Sequence, residues 1–152
     1  MLWFERDDLT RPEVIGLLEE HLADMHATSP PESVHALDLE ELRSPDVAFW
    51  TAWNETGLQG SGALKALGDK EAELKSMRTV RSARGQGVGE AMLLHLLDEA
   101  RRAGIEHVYL ETGSQPFFAP ARRLYARHGF RERGPFADYR PDANSIFMQL
   151  AL

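Results

Sequence analysis

EAELKSMRTVRSARGQGVGEAMLLHLLDEARRAG, residues 71–104, changes its apolar period at a run of glycines. From Glu71 to Val80 the residues alternate as in a strand, with Leu74, Ser76, Arg78 and Val80 on one face and Glu73, Lys75, Met77 and Thr79 on the other. From Gly87 onward Val88, Met92 and Leu96 recur every four residues, joined by Leu93, Leu97 and Ala100. Arg101, Arg102 and Gly104 close the segment as residues at a helix C-terminus do. The stretch reads as strand, glycine turn and amphipathic helix. At the junction, Arg84-Gly85-Gln86-Gly87-Val88-Gly89 sets three glycines at alternate positions. There the first helical N–H groups have no intrahelical partner and the macrodipole is positive. Glycine lets an anion approach that backbone closely, so a phosphate or pyrophosphate is the expected guest. A glycine-rich turn serving the fold alone is the alternative, and it leaves the adjacent Arg84 without a role. The P-loop does not fit, because no Lys-Ser/Thr follows the glycines, and neither does the G-x-G-x-x-G of dinucleotide sites.

Upstream, Val47–Trp53 and Leu58–Leu67 are strand candidates joined by Asn54-Glu55-Thr56-Gly57, and Gly68-Asp69-Lys70 turns the chain into the strand at Glu71. An antiparallel meander thus precedes the glycine turn. Trp50 and Trp53, as paired strand aromatics, read as packing residues and receive no role. Nearer the start, Leu2–Glu5 reads as an opening strand. Thr10 before Arg11-Pro12-Glu13 reads as the N-cap of a helix to about His26, with Val14, Leu17, Leu18, Leu22 and Met25 as its apolar stripe. A short helix is expected from Leu37 to Leu42. Downstream, His107–Thr112 reads as a strand returning through so short a connection that it must lie parallel to the strand at Glu71. A helix carrying Ala121, Leu124, Tyr125 and His128 follows and ends at Gly129, and Phe130–Pro135 and Ser145–Leu150 are the last strands.

Composition narrows the function. The 152 residues suit one domain, 1–152, and 43% hydrophobic with 27% charged residues is ordinary for a globular chain. A formal net charge of -7 argues against a general nucleic-acid binder. With no cysteine, thiolate catalysis and Cys-ligated metals are excluded. His21 and His26 are off the spacing that puts two ligands on one helical face, and Asp138, Asp142 and Asn144 lack the EF-hand order, so no metal is expected. The charged opening MLWFERDDLTRPE is unlike a signal peptide and no apolar run reaches membrane-spanning length, so a cytoplasmic protein without membrane partners is expected.

Arg84, Gly87 and Gly89 match Arg/Gln-x-x-Gly-x-Gly/Ala, which resembles the pyrophosphate loop of the GNAT superfamily of acetyl-coenzyme A-dependent N-acetyltransferases. Ala121-x-x-Leu124-Tyr125-x-x-x-Gly129-Phe130 resembles the second hallmark of that superfamily, and the resemblance extends from about Val47 to the C-terminus. KSMRT, LETGS, FAPAR and PFADYRPDANSIFM are further similar to a bacterial subgroup of it. The resemblance implies a mixed α+β fold: a central, mostly antiparallel sheet of six to seven strands flanked by helices, splayed between strands four and five to admit the pantetheine arm.

It also implies roles. Acetyl-CoA would be the co-substrate and a small-molecule primary amine the acceptor. Arg84, Gly85, Gln86, Gly87, Val88 and Gly89 would hold the pyrophosphate, and main-chain groups of Met77, Arg78 and Thr79 would meet the pantetheine. Tyr125 would protonate the leaving thiolate. An alkylammonium must lose a proton before it attacks a thioester, and Glu73 matches the strand-four glutamate that serves as base in part of the superfamily, with Glu111 as second choice. Phe118 stands where the superfamily commonly has an asparagine touching the pantetheine, and Ser114 or Gln115 would then substitute. One of the pairs Arg101-Arg102 and Arg122-Arg123 would meet the 3′-phosphate. The acceptor would be bordered by the first helix, Ser29–His35 and the Phe136–Asn144 loop, including Tyr139 and Arg140. An arginine there suits an acceptor carboxylate, whereas the acidity of the chain suits a polyamine or aminoglycoside. A non-catalytic acyl-CoA-binding module and a protein N-acetyltransferase are the alternatives, and the C-terminal strands offer a surface for a homodimer.

Overall fold

In chain order the elements are β1 (Trp3–Arg6), α1 (Pro12–Thr28), α2 (Leu39–Leu42), β2 (Val47–Asn54), β3 (Gly57–Gly68), β4 (Glu71–Thr79), α3 (Val88–Arg102), β5 (His107–Gly113), α4 (Ala119–Arg127), β6 (Arg131–Arg133) and β7 (Ser145–Ala151). The computed structural model describes residues 1–34 and 38–152. Among the described residues the strands form one sheet in the order β1-β2-β3-β4-β5-β7-β6. Only β4 and β5 run parallel, and every other neighbouring pair is antiparallel. The architecture is the mixed, mostly antiparallel sheet with flanking helices that the resemblance implied.

Each face of the sheet is covered separately. On one, α3 buries Val88, Met92, Leu93, Leu96, Leu97 and Ala100, in a core that includes Leu64, Leu74, Val108 and Leu110. Each large side chain so buried contributes roughly 2 kcal/mol. Gly62 allows this close approach: a Cβ there would stand 2.7 Å from Leu96 Cδ1 and 2.8 Å from Met77 Sδ. On the opposite face Val14 and Leu18 of α1 pack with Leu9, Phe49 and Ala63. A third, smaller cluster of Tyr109, Phe136 and Phe147 anchors the loop between β6 and β7 to the sheet.

Local chemistry explains several boundaries. Thr10 does not cap α1. Arg11 holds that position without a side-chain bond, because the Thr10 hydroxyl donates to Asp8 Oδ1 at 2.6 Å and its N–H to the same atom at 3.2 Å. α1 also runs two residues past His26, the Thr28 hydroxyl donating to Asp24 O at 2.8 Å. Of the expected Leu37–Leu42 helix, Leu37 lies outside the described residues. The remainder opens with a capping box in which Asp38 Oδ1 accepts from Glu41 N at 2.8 Å. β6 is shorter than Phe130–Pro135. Phe130 instead belongs to the core, its N–H bonding Tyr125 O at 3.1 Å in the turn that ends α4, and Gly129 supplies the φ of 94° that the turn requires.

The strict alternation expected for residues 71–80 breaks inside β4. Between the pairs Ser61↔Arg78 and Ala63↔Lys75, both Ser76 and Met77 oppose Gly62 alone, and Ser76 takes a φ of 55°. The extra residue is a β-bulge, and it inverts which side chains share a face. Glu73 and Lys75 therefore lie on the α1 side with Arg78, which pairs with Glu20 and Asp24 of α1. Leu74, Met77 and Thr79 lie on the α3 side, where Met77 packs against the core and Thr79 lies near Gly89. Met77 and Thr79 do not share the face of Glu73.

Candidate active site

β4 and β5 part company halfway along. Their ladder runs from Glu71↔His107 to Leu74↔Leu110 and stops, although β4 continues to Thr79 and β5 to Gly113. The Ser76 bulge bends β4 away at this point, and its carbonyl is satisfied by the Ser61 hydroxyl at 2.9 Å. On the other side Phe118 lies so close to Gly113 that a Cβ there would stand 2.1 Å from its ring. The divergence leaves a gap in the sheet.

A cleft of about 530 Å³ leads to this gap. One end lies at the N-terminus of α3, where Gly87 precedes the first helical residue with φ 82° and no side chain caps the helix. Gly85 is also left-handed, φ 78°, and a Cβ at Gly85 or Gly87 would meet no protein atom within 4 Å. The free N–H groups of the first turn therefore border open space, with Arg84, Arg123 and Arg127 along the same cleft. These residues fit an anionic group such as a pyrophosphate: positive dipole end, unhindered backbone and guanidinium rim. The other end of the cleft is apolar, lined by Met77, Met92, Phe118, Ala121 and Tyr125.

Beyond the gap lies a narrow cavity of about 110 Å³, bordered by Glu73, Lys75, Met77, Glu111, Phe118 and Tyr125. Tyr125, from α4, is 6% exposed, and its burial raises the phenol above the ordinary range, so the hydroxyl keeps its proton at neutral pH. Glu111, from β5, is pushed up to about 7 by burial, helped by the negative charges of Glu73 and Asp142 and opposed by the Ser145 hydroxyl and the Lys75 ammonium. Glu73 is differently placed. Its Oε2 lies 3.1 Å from Lys75 Nζ and accepts the Tyr139 hydroxyl at 2.5 Å. Glu73 and Lys75 also form the inner wall of an outer chamber of about 710 Å³ that includes Lys65, Tyr139 and Arg140.

The residues expected from sequence converge, with exceptions. Met77, Arg78, Thr79, Arg84, Gly85, Gly87, Val88, Gly89, Phe118 and Tyr125 all line the cleft. Gln86 does not, its amide turning back to Ser82 O at 3.3 Å. Arg78 directs its guanidinium away to Glu20 and Asp24, at 2.5 Å each. Neither Ser114 nor Gln115 is among the residues lining the cleft; the Ser114 hydroxyl donates to Ala143 O at 2.7 Å and Gln115 Nε2 donates to Asn144 Oδ1 at 3.0 Å. Of the arginine pairs, Arg101 and Arg102 bond Asp98 and Glu99 at the far end of α3, and Arg122 donates to Gly113 O and Gln115 O. Arg123 alone borders the cleft, with Arg127. The acceptor regions are partly in place: Tyr139 and Arg140 line the outer chamber, whereas His35 lies outside the described residues.

His21, which the sequence reading set aside as a metal ligand and gave no other role, borders with Met25 both the cleft and the inner cavity. Its Nδ1 is buried without a hydrogen-bond partner, and burial lowers its pKa to about 4, leaving a neutral ring. Among the described residues no group of His, Cys, Asp and Glu is arranged to hold a metal ion, and no helix is long and apolar enough to cross a membrane.

The residues that build this cleft lie within a stretch of the chain that a family model matches. The model, described as the acetyltransferase (GNAT) family, covers residues 14–130. The chain belongs to the GNAT acetyltransferase family. It is 51% identical over 142 residues to the uncharacterized N-acetyltransferase YsnE of Bacillus subtilis, covering 93% of this chain and 94% of that one. It is 46% identical over 152 residues to the uncharacterized N-acetyltransferase YedL of Escherichia coli, covering 100% and 96%. An IAA acetyltransferase of Azospirillum brasilense is 38% identical, with 97% and 95% covered. Among solved structures, a Klebsiella pneumoniae protein named for acyl-CoA N-acyl transfer superposes with a TM-score of 0.81 at 27% identity, covering 100% of this chain and 98% of that one. The PaiA N-acetyltransferase of Thermoplasma acidophilum in complex with coenzyme A superposes at 0.77 with 17% identity, covering 100% and 99%, and shares the fold. This GNAT protein is thus an acyltransferase enzyme.

Proposed function

We propose that the enzyme transfers the acetyl group of acetyl-CoA directly to a primary amine of a small molecule, with Tyr125 as acid and Glu111 as base. The observation that carries this reading is that Tyr125, held protonated, and Glu111, poised near neutrality, line one narrow cavity at the gap between β4 and β5. The α3 N-terminus and Arg84, Arg123 and Arg127 suit the pyrophosphate and phosphate of the coenzyme, and the apolar end of the cleft suits its pantetheine.

In this reading the amine nitrogen loses its proton to Glu111 and attacks the thioester carbonyl. The C–N bond forms, the C–S bond breaks, Tyr125 gives its proton to the departing sulfur, and the second proton leaving the new amide nitrogen restores the phenol. Backbone N–H groups near the Ser76 bulge polarise the carbonyl, since bulged residues are released from the ladder. Glu111 is preferred to Glu73 as base because Glu73 Oε2 already takes both Lys75 and Tyr139. Glu73 then shapes the route from the outer chamber. A homodimer through the C-terminal strands remains part of the proposal.

The test is release of CoA from acetyl-CoA over a panel of small amines, with IAA, for which the Azospirillum relative is named, among the compounds. Release with one amine class that Tyr125→Phe and Glu111→Gln each reduce by about 100-fold or more supports the assignment. Undiminished release by both variants refutes it.

A further inference from the structure

Among the described residues, His21, Met25, Met77, Phe118, Ala121 and Tyr125 border both the cleft and the inner cavity. They frame the passage between the two, and of their side chains only those of His21 and Tyr125 carry an N–H or O–H. Tyr125 has a place in the proposed mechanism and His21 has none. His21 continues the stripe of Val14, Leu17 and Leu18 that α1 buries, a position where a helix packed on a sheet ordinarily shows an apolar residue. Its turn is pinned. Glu20 and Asp24, one residue before it and three after, both pair with Arg78 of β4 at 2.5 Å. The turn that carries His21 is thus fastened to the strand whose Ser76 bulge opens the gap.

The ring is neutral, because burial lowers its pKa to about 4, with the Arg78 guanidinium adding to the effect and Asp24 opposing it. A neutral imidazole has one N–H and one bare nitrogen. Nδ1 is enclosed without a partner, and an enclosed N–H lacking an acceptor is the costlier orphan, so the proton belongs on Nε2. Nε2 is not enclosed in this way, and the voids that the ring borders are the cleft and the inner cavity. The imidazole therefore offers the passage a donor. It does not suit the role of base, since a ring that resists protonation to about pH 4 takes a proton from an alkylammonium poorly.

We propose that His21 Nε2–H donates a hydrogen bond to the acetyl carbonyl oxygen of acetyl-CoA and stabilises the oxyanion formed during transfer. This rests on the gap between β4 and β5 being the site of transfer. As the amine nitrogen attacks, the π electron pair of the carbonyl moves onto the oxygen. His21 keeps its proton throughout, and the pair returns to the carbonyl when the C–S bond breaks. The imidazole acts beside the backbone N–H groups near the Ser76 bulge. A donor fixed in a dry passage strengthens its bond as the charge develops, so it favours the transition state over the bound thioester. An apolar side chain would pack α1 without leaving a nitrogen orphaned, and would lack this donor.

The experiment reads the carbonyl stretch of bound acetyl-CoA, isotopically labelled at the acetyl carbonyl, by infrared difference spectroscopy, beside kcat with whichever amine releases CoA. His21→Met keeps the bulk and removes the N–H, whereas His21→Gln keeps an N–H at similar reach. In the parent the stretch should lie below its frequency in His21→Met, and His21→Gln should recover part of the difference. His21→Met should lower kcat by about 100-fold with acetyl-CoA affinity retained, and with no loss of stability in urea, since an orphaned nitrogen leaves the interior. His21→Leu replaces the methionine variant if that one does not fold. The rise of kcat/KM expected of Glu111 should stay at about 7 in each variant. An unchanged stretch in His21→Met, an equal loss of kcat in His21→Met and His21→Gln, or disappearance of that rise overturns the inference. The stretch requires only bound acetyl-CoA. A shifted stretch in His21→Met together with full activity in Tyr125→Phe and Glu111→Gln refutes the proposed acid and base and leaves His21 standing, and an unchanged stretch with both of those variants impaired does the reverse. Failure of acetyl-CoA to bind refutes both.

Discussion

The Tyr139 hydroxyl donates to Glu73 Oε2 at 2.5 Å, joining two residues 66 apart in sequence. The bond fastens the loop between β6 and β7 to β4 at the wall shared by the inner cavity and the outer chamber. Tyr139 also packs edge-on against Phe136, with ring centroids 4.9 Å apart. Tyr139→Phe keeps that packing and removes the bond to a buried carboxylate. It should lower stability by about 1–2 kcal/mol in urea denaturation and raise KM for the acceptor more than KM for acetyl-CoA.

Tyr125→Phe tests the proposed acid. The ring contact with Phe130, centroids 5.7 Å apart, survives the substitution, so the thermal midpoint should change little. Loss of a positioned proton donor should reduce kcat by about 100-fold or more. Full activity in Tyr125→Phe would remove the acid from the mechanism.

Glu111 makes two pH predictions. If it is the base, kcat/KM should rise with slope one as pH increases and level off above about 7, and Glu111→Gln should abolish this limb. Stability should run the other way. The folded pKa lies above the ordinary 4.5, so the folded protein holds the proton more tightly than the unfolded chain. That contribution is complete below about pH 4.5 and is lost as pH rises through about 7. Glu111→Gln should therefore be more stable than the parent by about 2 kcal/mol at pH 8.5, allowing for partial solvent access, and lose that advantage by pH 4.

Arg78 ties α1 to β4 through Glu20 and Asp24. Its hydrogen bonds hold both carboxyls below their ordinary values, so the stability they supply is present above about pH 4 and is lost as pH falls further. Arg78→Met should cost about 2 kcal/mol at pH 7 and flatten the acid limb of the stability profile, as read from urea midpoints between pH 3 and 7.

Gly89 separates folding from coenzyme binding. A Cβ there meets Leu124 Cδ2 and Thr79 Oγ1 at 3.7 Å, an ordinary contact, and the position is helical. Gly89→Ala should leave stability unchanged or raise it by about 0.5 kcal/mol while weakening acetyl-CoA binding about tenfold, because the methyl group crowds the N–H groups of the first turn. Gly87→Ala should do both kinds of damage, since φ is 82° there. Calorimetry with acetyl-CoA beside urea melts distinguishes the two.

Local pattern determined much of this protein. A period of two becoming nearly four around three alternating glycines specified β4, the anion cradle and α3, and the shortness of the return connection specified the parallel β4–β5 pair. Ala121, Leu124, Tyr125, Gly129 and Phe130 likewise marked α4 and its end. All of these are interactions among residues a few positions apart, and sequence records them directly. What tertiary structure decided depends on partners distant in the chain. The Ser76 bulge arises from the pairing of β4 with β3, and no residue type in KSMRT announces it, yet it sets Glu73 on the α1 side and opens the gap. The environment of Glu111 is assembled from Lys75 on β4, Asp142 in the loop and Ser145 on β7, so its readiness to exchange a proton near neutrality exists only once those segments meet. For that reason we propose Glu111 rather than Glu73 as the base. Proton affinity belongs to the field and burial around a carboxyl, and those are properties of the folded chain.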